Sequence, residues 1–172
     1  MIITILCVDI KWGIGKQNGL LFSLPKDMKF FRETTLGHVV AMGENTLLSF
    51  PNSKPLKNRT HIVLSQDESH EYEGVENVHD FQTFLSKISE YAEKEDVYII
   101  GGASIYRQTL PFVNEVLLTK VDADGKAELF FPNLDKDPYF QLVEEGEPID
   151  DNGFTIRFCR YVNKHPQKIN HI

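Results

Sequence analysis

Short, almost wholly apolar runs recur along this 172-residue chain, with segments of helical spacing between them. Ile2 to Val8, His38 to Gly43, Thr60 to Ser65 and Val97 to Ile100 all have this character. A strand that is apolar on both sides must be covered on both faces, which a parallel sheet between helices provides. Ser23-Leu24-Pro25 opens one helix, and a short one from Glu44 to Phe50 is stopped by Pro51. Asp80 caps a third, whose Phe81, Phe84, Leu85 and Ile88 follow the i, i+3, i+4, i+7 spacing, and a fourth runs from Gly101-Gly102 through Leu110. Glu115 to Val121 is a further strand. Phe154 to Val162 alternates, with Phe154, Ile156 and Phe158 against Thr155, Arg157 and Cys159, as in an antiparallel strand near an edge. The expected fold is α/β: one domain over residues 1–172 with a central, mostly parallel twisted sheet, an antiparallel C-terminal edge strand and helices on both faces. Asp9 to Leu24 is expected to be a long loop, and 163–172 a frayed tail.

The net charge of −7 argues against a general binder of nucleic acid or of anionic membranes. It is unevenly spread: residues 1–60 carry eight basic and four acidic side chains, and the remainder is strongly acidic. The basic third either holds a small anionic ligand or is only an uneven solvated surface. No stretch approaches the length of a membrane span, and the opening run lacks a basic leader and meets Asp9 early, so it reads as a strand. Two cysteines are too few for a disulfide scaffold, and the six histidines show no ligand spacing. The expectation is a monomer in a reducing cytoplasm, acting on small molecules, without a metal.

In such sheets ligands lie beyond the carboxyl ends of the strands. Asp27, in the first turn of its helix, is either an acid stabilised by the helix dipole or a carboxylate presented to a cationic or amidine-like edge. Gly101-Gly102 is either a tight turn or a place where backbone N–H groups meet a phosphate. Met42-Gly43-Glu44-Asn45-Thr46 repeats that form. Arg59, before a buried strand, is either a carboxylate clamp or an exposed loop residue.

Taken together, the segments resemble one family. Gly13-Ile14-Gly15, Asn18, Leu24-Pro25-Lys26-Asp27-Met28 with Phe31 and Thr35, and Met42-Gly43-x-Asn45-Thr46 resemble the dihydrofolate reductases. So do Lys54-Pro55-Leu56-x-x-Arg59 with Ile62 to Ser65, Ile100-Gly101-Gly102-x-x-Ile105-Tyr106, Leu118-Thr119-x-Val121-Asp122 and Phe130-Phe131-Pro132, in the same order. The resemblance implies reduction of 7,8-dihydrofolate with NADPH, hydride passing to pterin C6. Asp27 is then the carboxylate on the pterin, with Thr119 bonded to it and Phe22 beside it. Ile5, Leu6, Met28, Phe31, Phe50, Leu56 and Ile100 line the substrate pocket, and Arg59 takes the glutamate carboxylate of folate. The cofactor falls to Cys7, Ile14, Asn18, Leu20, Gly43, Glu44, Asn45, Thr46, Leu64, Ser65, Gln66, Gly101, Gly102, Ala103, Ser104, Ile105 and Tyr106. The Gly-Gly bond is expected to be cis, and the loop from Asp9 to Leu24 to be a lid.

The chain also departs from the family. Leu21-Phe22 stands where Pro-Trp is usual, so an indole N–H that would hold a water is missing. Glu44 stands where an arginine usually meets the 2′-phosphate of NADPH, and Ser104 where there can be a second. A carboxylate near a phosphate repels it by about 1–4 kcal/mol. The implied preference for NADPH is therefore weakened, leaving room for NADH.

Overall fold

The computed structural model describes residues 1–16 and 19–170. The strands are β1 (Ile2–Val8), β2 (Gly13–Gly15), β3 (Val39–Gly43), β4 (Thr60–Leu64), β5 (Glu76–Val78), β6 (Val97–Ile99), β7 (Glu115–Val121), β8 (Leu129–Phe130), β9 (Phe140–Glu145), β10 (Ile149–Asp151) and β11 (Phe154–Asn163). The helices are α1 (Pro25–Thr35), α2 (Glu44–Leu48), α3 (Phe81–Ala92) and α4 (Ala103–Thr109). The main sheet runs β10-β11-β7-β1-β6-β3-β4-β5, with β9 on the remaining length of β11. From β7 to β5 every neighbouring pair is parallel. β11 is antiparallel to β7, as its alternation predicts.

The apolar runs are buried on both faces, as a covered parallel sheet requires. Along β3, Val39 and Ala41 join a core with Phe84 and Ile88 of α3 and Ile105 of α4. Val40 and Met42 face the other way, into a core with Ile3, Ile5 and Val63 and the flanking Phe30 and Phe31 of α1. Asp80 caps α3, its carboxylate accepting the Thr83 N–H at 2.8 Å. Fully burying one such branched side chain contributes about 1.5–3 kcal/mol, so the two cores outweigh any single polar contact in the molecule.

Four features differ from the sequence expectation. The loop from Asp9 to Leu24 contains β2, which pairs with β8. Three residues, two of them glycine, offer no periodicity to read. Two further antiparallel strands lie beyond β7, because β11 pairs with β10 along its first part and β9 along its second. Both faces of β11 are covered: Phe158 packs on Phe30 with ring centres 4.7 Å apart, while Cys159 and Tyr161 enter the core under α3 and α4. Residues 163–170 do not fray. Asn163 is buried with its amide on the Val113 carbonyl at 2.9 Å, and the Gln167 N–H reaches the Pro111 carbonyl at 2.9 Å.

Helix α1 starts with Leu24 at the cap position and Pro25 behind it, and neither supplies a capping side chain. The cap comes from the far end of the chain. Asp151, 1% exposed at the end of β10, accepts the Lys26 N–H at 3.0 Å and the Asp27 N–H at 3.1 Å. A buried carboxylate on two otherwise unpaired helix donors is worth more than an exposed cap. Replacing Asp151 with Ala should lower stability by about 2 kcal/mol in urea unfolding. Asn at the same position should restore part of the loss, since it keeps an acceptor; no loss in either variant would refute the cap.

Candidate active site

Along the carboxyl edge of the sheet, β7, β1, β6, β3 and β4 end side by side; Thr119, Gly43, Ser65 and Gly101-Gly102 stand at or near those ends, while Asp27 lies on α1 and Arg59 just before β4. Thr119 is near the end of β7, 2% exposed, with Cys7 as its register partner on β1. The Thr119 hydroxyl donates to Asp27 Oδ1 at 2.7 Å. Among the described residues no donor reaches Oδ2, which leaves a carboxylate oxygen free in a largely enclosed place. Burial raises the carboxyl's pKa, the Thr119 hydrogen bond lowers it, and the nearby Asp151 charge raises it again. Such a group can accept hydrogen bonds from a planar edge that carries donors.

The apolar wall is assembled as expected in part. Ile5, Phe31, Phe50 and Ile100 share one cluster under α1. Leu6 packs against the opposite core, Met28 is 49% exposed, and Leu56 is half-buried in the loop before β4. Burial keeps the Cys7 thiol pKa far above its usual range, with the Asp27 charge adding to it, so Cys7 is an uncharged lining group. Phe22 packs edge-on against Phe154 at 4.8 Å.

Arg59 lies at the other end of α1. Its Nε donates to Thr35 Oγ1 at 2.8 Å, and its two terminal nitrogens donate to the carbonyls of Lys57 at 2.8 Å and Arg32 at 3.1 Å. Burial and the neighbouring Arg32 charge lower its pKa. No carboxylate of the described residues pairs with it. Asp27 and Thr35 are eight residues apart on α1, about 12 Å along the axis. The helix therefore sets a carboxylate and a guanidinium at the two ends of one apolar wall.

Next to this wall the strand ends are bare backbone. The Gly43 N–H donates to the Gly101 carbonyl at 2.9 Å, joining the ends of β3 and β6, and the Gly101-Gly102 bond is cis as expected. A Cβ on Gly43 would come within 3.3 Å of Ile105, and Gly101 has a φ of +125° with Thr46 Oγ1 and the Tyr106 ring 3.4 Å from where a Cβ would stand. The ring of Tyr106 is fixed beneath by its hydroxyl on the Ile5 carbonyl at 3.0 Å, and burial keeps that hydroxyl protonated. Ser65, 3% exposed, closes the row at the end of β4. Its hydroxyl donates to Glu44, the first residue of α2. Leu64 is buried below, while Asn45, Gln66 and Ser104 are exposed and Thr46 and Ala103 half-exposed around the row. Ile14 is half-buried on β2 and Leu20 is 78% exposed; Asn18 lies outside the described residues.

Three supporting residues were not singled out by the sequence. Asp151 gave no signal, since its partners are more than a hundred positions away. His61, 1% exposed, accepts the Leu56 N–H on Nε2 at 2.9 Å and has Nδ1 3.2 Å from the Arg59 carbonyl, so it shapes the loop that presents Arg59. Asp9, 3% exposed, takes the N–H groups of Lys11 and Gly13 on one oxygen and that of Gly125 on the other, anchoring the base of the 9–24 loop. A separate cavity of about 420 Å³, lined by Trp12, Lys120 and Arg157 among others, holds none of the candidate residues.

Comparison with known proteins gives one answer. A family model described as dihydrofolate reductase matches residues 1–163. The dihydrofolate reductase of Bacillus subtilis is 31% identical over 98% of this chain and 98% of its own length. That of Neisseria gonorrhoeae is 32% identical over 88% of this chain and 91% of its own. Among solved structures, dihydrofolate reductase from Enterococcus faecalis complexed with NADP(H) and RAB-propyl superposes with a TM-score of 0.81 at 27% identity, covering 95% of this chain and 96% of that one.

Burial lowers the pKa of His61 below its ordinary 6.5, the Arg59 carbonyl opposes this, and the Arg59 charge adds to it. Below 6.5 the unfolded chain takes up a proton that the folded chain refuses, so stability falls as pH drops through that range. The His61→Gln variant should lose this part of the pH dependence in urea unfolding between pH 6.5 and 5; an unchanged slope would contradict the buried, neutral imidazole.

Proposed function

The chain belongs to the dihydrofolate reductase family, and on that footing we propose that Asp27 binds the pterin of its substrate and Arg59 the carboxylate at the other end. The reaction is the reduction of 7,8-dihydrofolate to 5,6,7,8-tetrahydrofolate, for which bound NADPH supplies the hydride. The observation that carries the residue assignment is the pairing along α1 of a carboxylate oxygen and a guanidinium that, among the described residues, have no donor and no acidic partner respectively.

Asp27 Oδ2 accepts hydrogen bonds from the pterin 2-amino group and N3, while Thr119 holds Oδ1. The resulting negative charge favours a protonated pterin, the form that accepts hydride at C6, with the proton at N5 coming from water. Ile5, Phe31, Phe50 and Ile100 exclude other water from the ring and so strengthen that field. Arg59, already oriented by three acceptors, receives the α-carboxylate at little entropic cost.

For the cofactor, the backbone at Gly43, Gly101 and Gly102 carries no side chain, which lets a group come close to the strand ends. Those glycines, with Thr46, Ser65 and Tyr106, would hold NADPH, which would supply the hydride. The two free thiols suit a reducing cytoplasm, where we take the chain to act as a monomer on small molecules.

Loss of absorbance at 340 nm with dihydrofolate and NADPH tests the activity, and Asp27→Asn tests the assignment. The variant should lose at least a hundredfold in kcat/KM, and unchanged turnover would end the role given to Asp27. The same substitution should raise the melting midpoint at pH 7. A carboxyl whose folded pKa is raised destabilises the fold as pH climbs through that value, and removing its charge relieves the cost.

A further inference from the structure

The carboxylate of Glu44 has an arrangement that the reduction itself does not require. Three donors converge on one oxygen: Ser65 Oγ at 3.1 Å, Tyr72 OH at 2.6 Å and His70 Nδ1 at 3.0 Å, all on Oε2. Among the described residues none reaches Oε1, and the side chain is 24% exposed. The group is thus rigidly aimed and keeps one oxygen as an open acceptor. It directly follows Gly43, beside the Gly101-Gly102 backbone, with Ser65 marking the end of the next strand out. At sheet-edge sites for dinucleotides, an acid in this kind of position takes a ribose hydroxyl, and a base is needed for a 2′-phosphate.

The surroundings do not reverse the charge. His70 stands between two carboxylates, its Nε2 lying 3.3 Å from Asp67 Oδ2, and no lysine or arginine of the described residues pairs with Glu44. The Tyr72 hydrogen bond, more than any other influence, holds the Glu44 carboxyl below the usual carboxylate range, so it is ionised at neutral pH. Across the row, Ser104 is exposed with its hydroxyl accepting from the Gln108 amide at 2.8 Å, and brings no positive charge. A carboxylate only accepts hydrogen bonds. A 2′-hydroxyl can donate to it, whereas an ionised phosphate offers nothing but repulsion.

We propose that Glu44 sets the cofactor selectivity of this enzyme: through Oε1 it accepts a hydrogen bond from a free 2′-hydroxyl on the adenosine ribose and disfavours a 2′-phosphate, so that NADH competes with NADPH. Tyr72, His70 and Ser65 are positioning residues for that carboxylate. The inference rests on the reading of the glycine row as the seat of the cofactor.

Calorimetric titration of the full chain with ADP-ribose and with its 2′-phosphate reads the preference without turnover. The natural chain should bind ADP-ribose at least as tightly as the 2′-phosphate. The Glu44→Gln variant keeps the shape and removes the charge, and should shift the ratio of the two Kd values about tenfold toward the phosphate; Glu44→Arg should shift it further. A natural chain that favours the phosphate more than tenfold, or a ratio unchanged within twofold in both variants, overturns the role of Glu44. If NADPH still binds in that case, the glycine row stands as its seat. If neither probe nor NADPH binds the natural chain, that reading fails, and the inference with it. Matching melting midpoints for the three proteins exclude unfolding as the cause of any shift.

Discussion

The position of α1 decides everything at the substrate end, and it depends on an acid 124 residues away from the helix it caps. Asp151 has no solvent to fall back on, and the first N–H groups of α1 have no partner within the helix. Each satisfies the other, which pins the helix to the β10–β11 hairpin and sets the height of Asp27 against Thr119. The same contact places a second negative charge near Asp27. One interaction therefore fixes where the carboxylate sits and helps to raise its pKa.

From that anchor the site extends in two directions with opposite electrical character. Along α1 lies an apolar wall ended by a guanidinium whose N–H groups, among the described residues, are engaged by a hydroxyl and two carbonyls. Across the strand ends lies a row of glycine backbone finished by Ser65 and an ionised glutamate. On the proposed assignment, Arg59 of the basic first third serves the substrate side, while Glu44 of the same third marks the cofactor side with an acid.

Much of this was legible in the sequence because it is written locally. Continuous apolar runs can only be covered strands, and the spacing of Phe81, Phe84, Leu85 and Ile88 can only be one face of a helix. Asp27, Arg59 and the paired glycines were visible as unusual residues in ordered motifs. What stayed hidden depends on contacts between distant segments. Nothing near Asp151 reveals that its partners are backbone groups across the fold, and nothing near Asp9 reveals that Gly125 joins the local Lys11 and Gly13 on it. His61 looked unremarkable because a single histidine in a strand has no pattern, and its role exists only once Leu56 and Arg59 fold around it. The tail at 163–170 looked polar and free, since hydrogen bonds to Val113 and Pro111 leave no trace in composition.

Gly125 carries a consequence for how damage spreads in this molecule. A single added methyl there would stand 3.0 Å from both Leu21 and Phe22 and force them to give way. Phe22 packs edge-on against Phe154, and Asp9 holds the same loop by the Gly125 N–H. A change at this buried loop position, remote in sequence, would therefore be felt as a displaced Phe22 ring. The molecule is tuned as much by the absence of an atom in one buried loop as by the groups gathered at its middle.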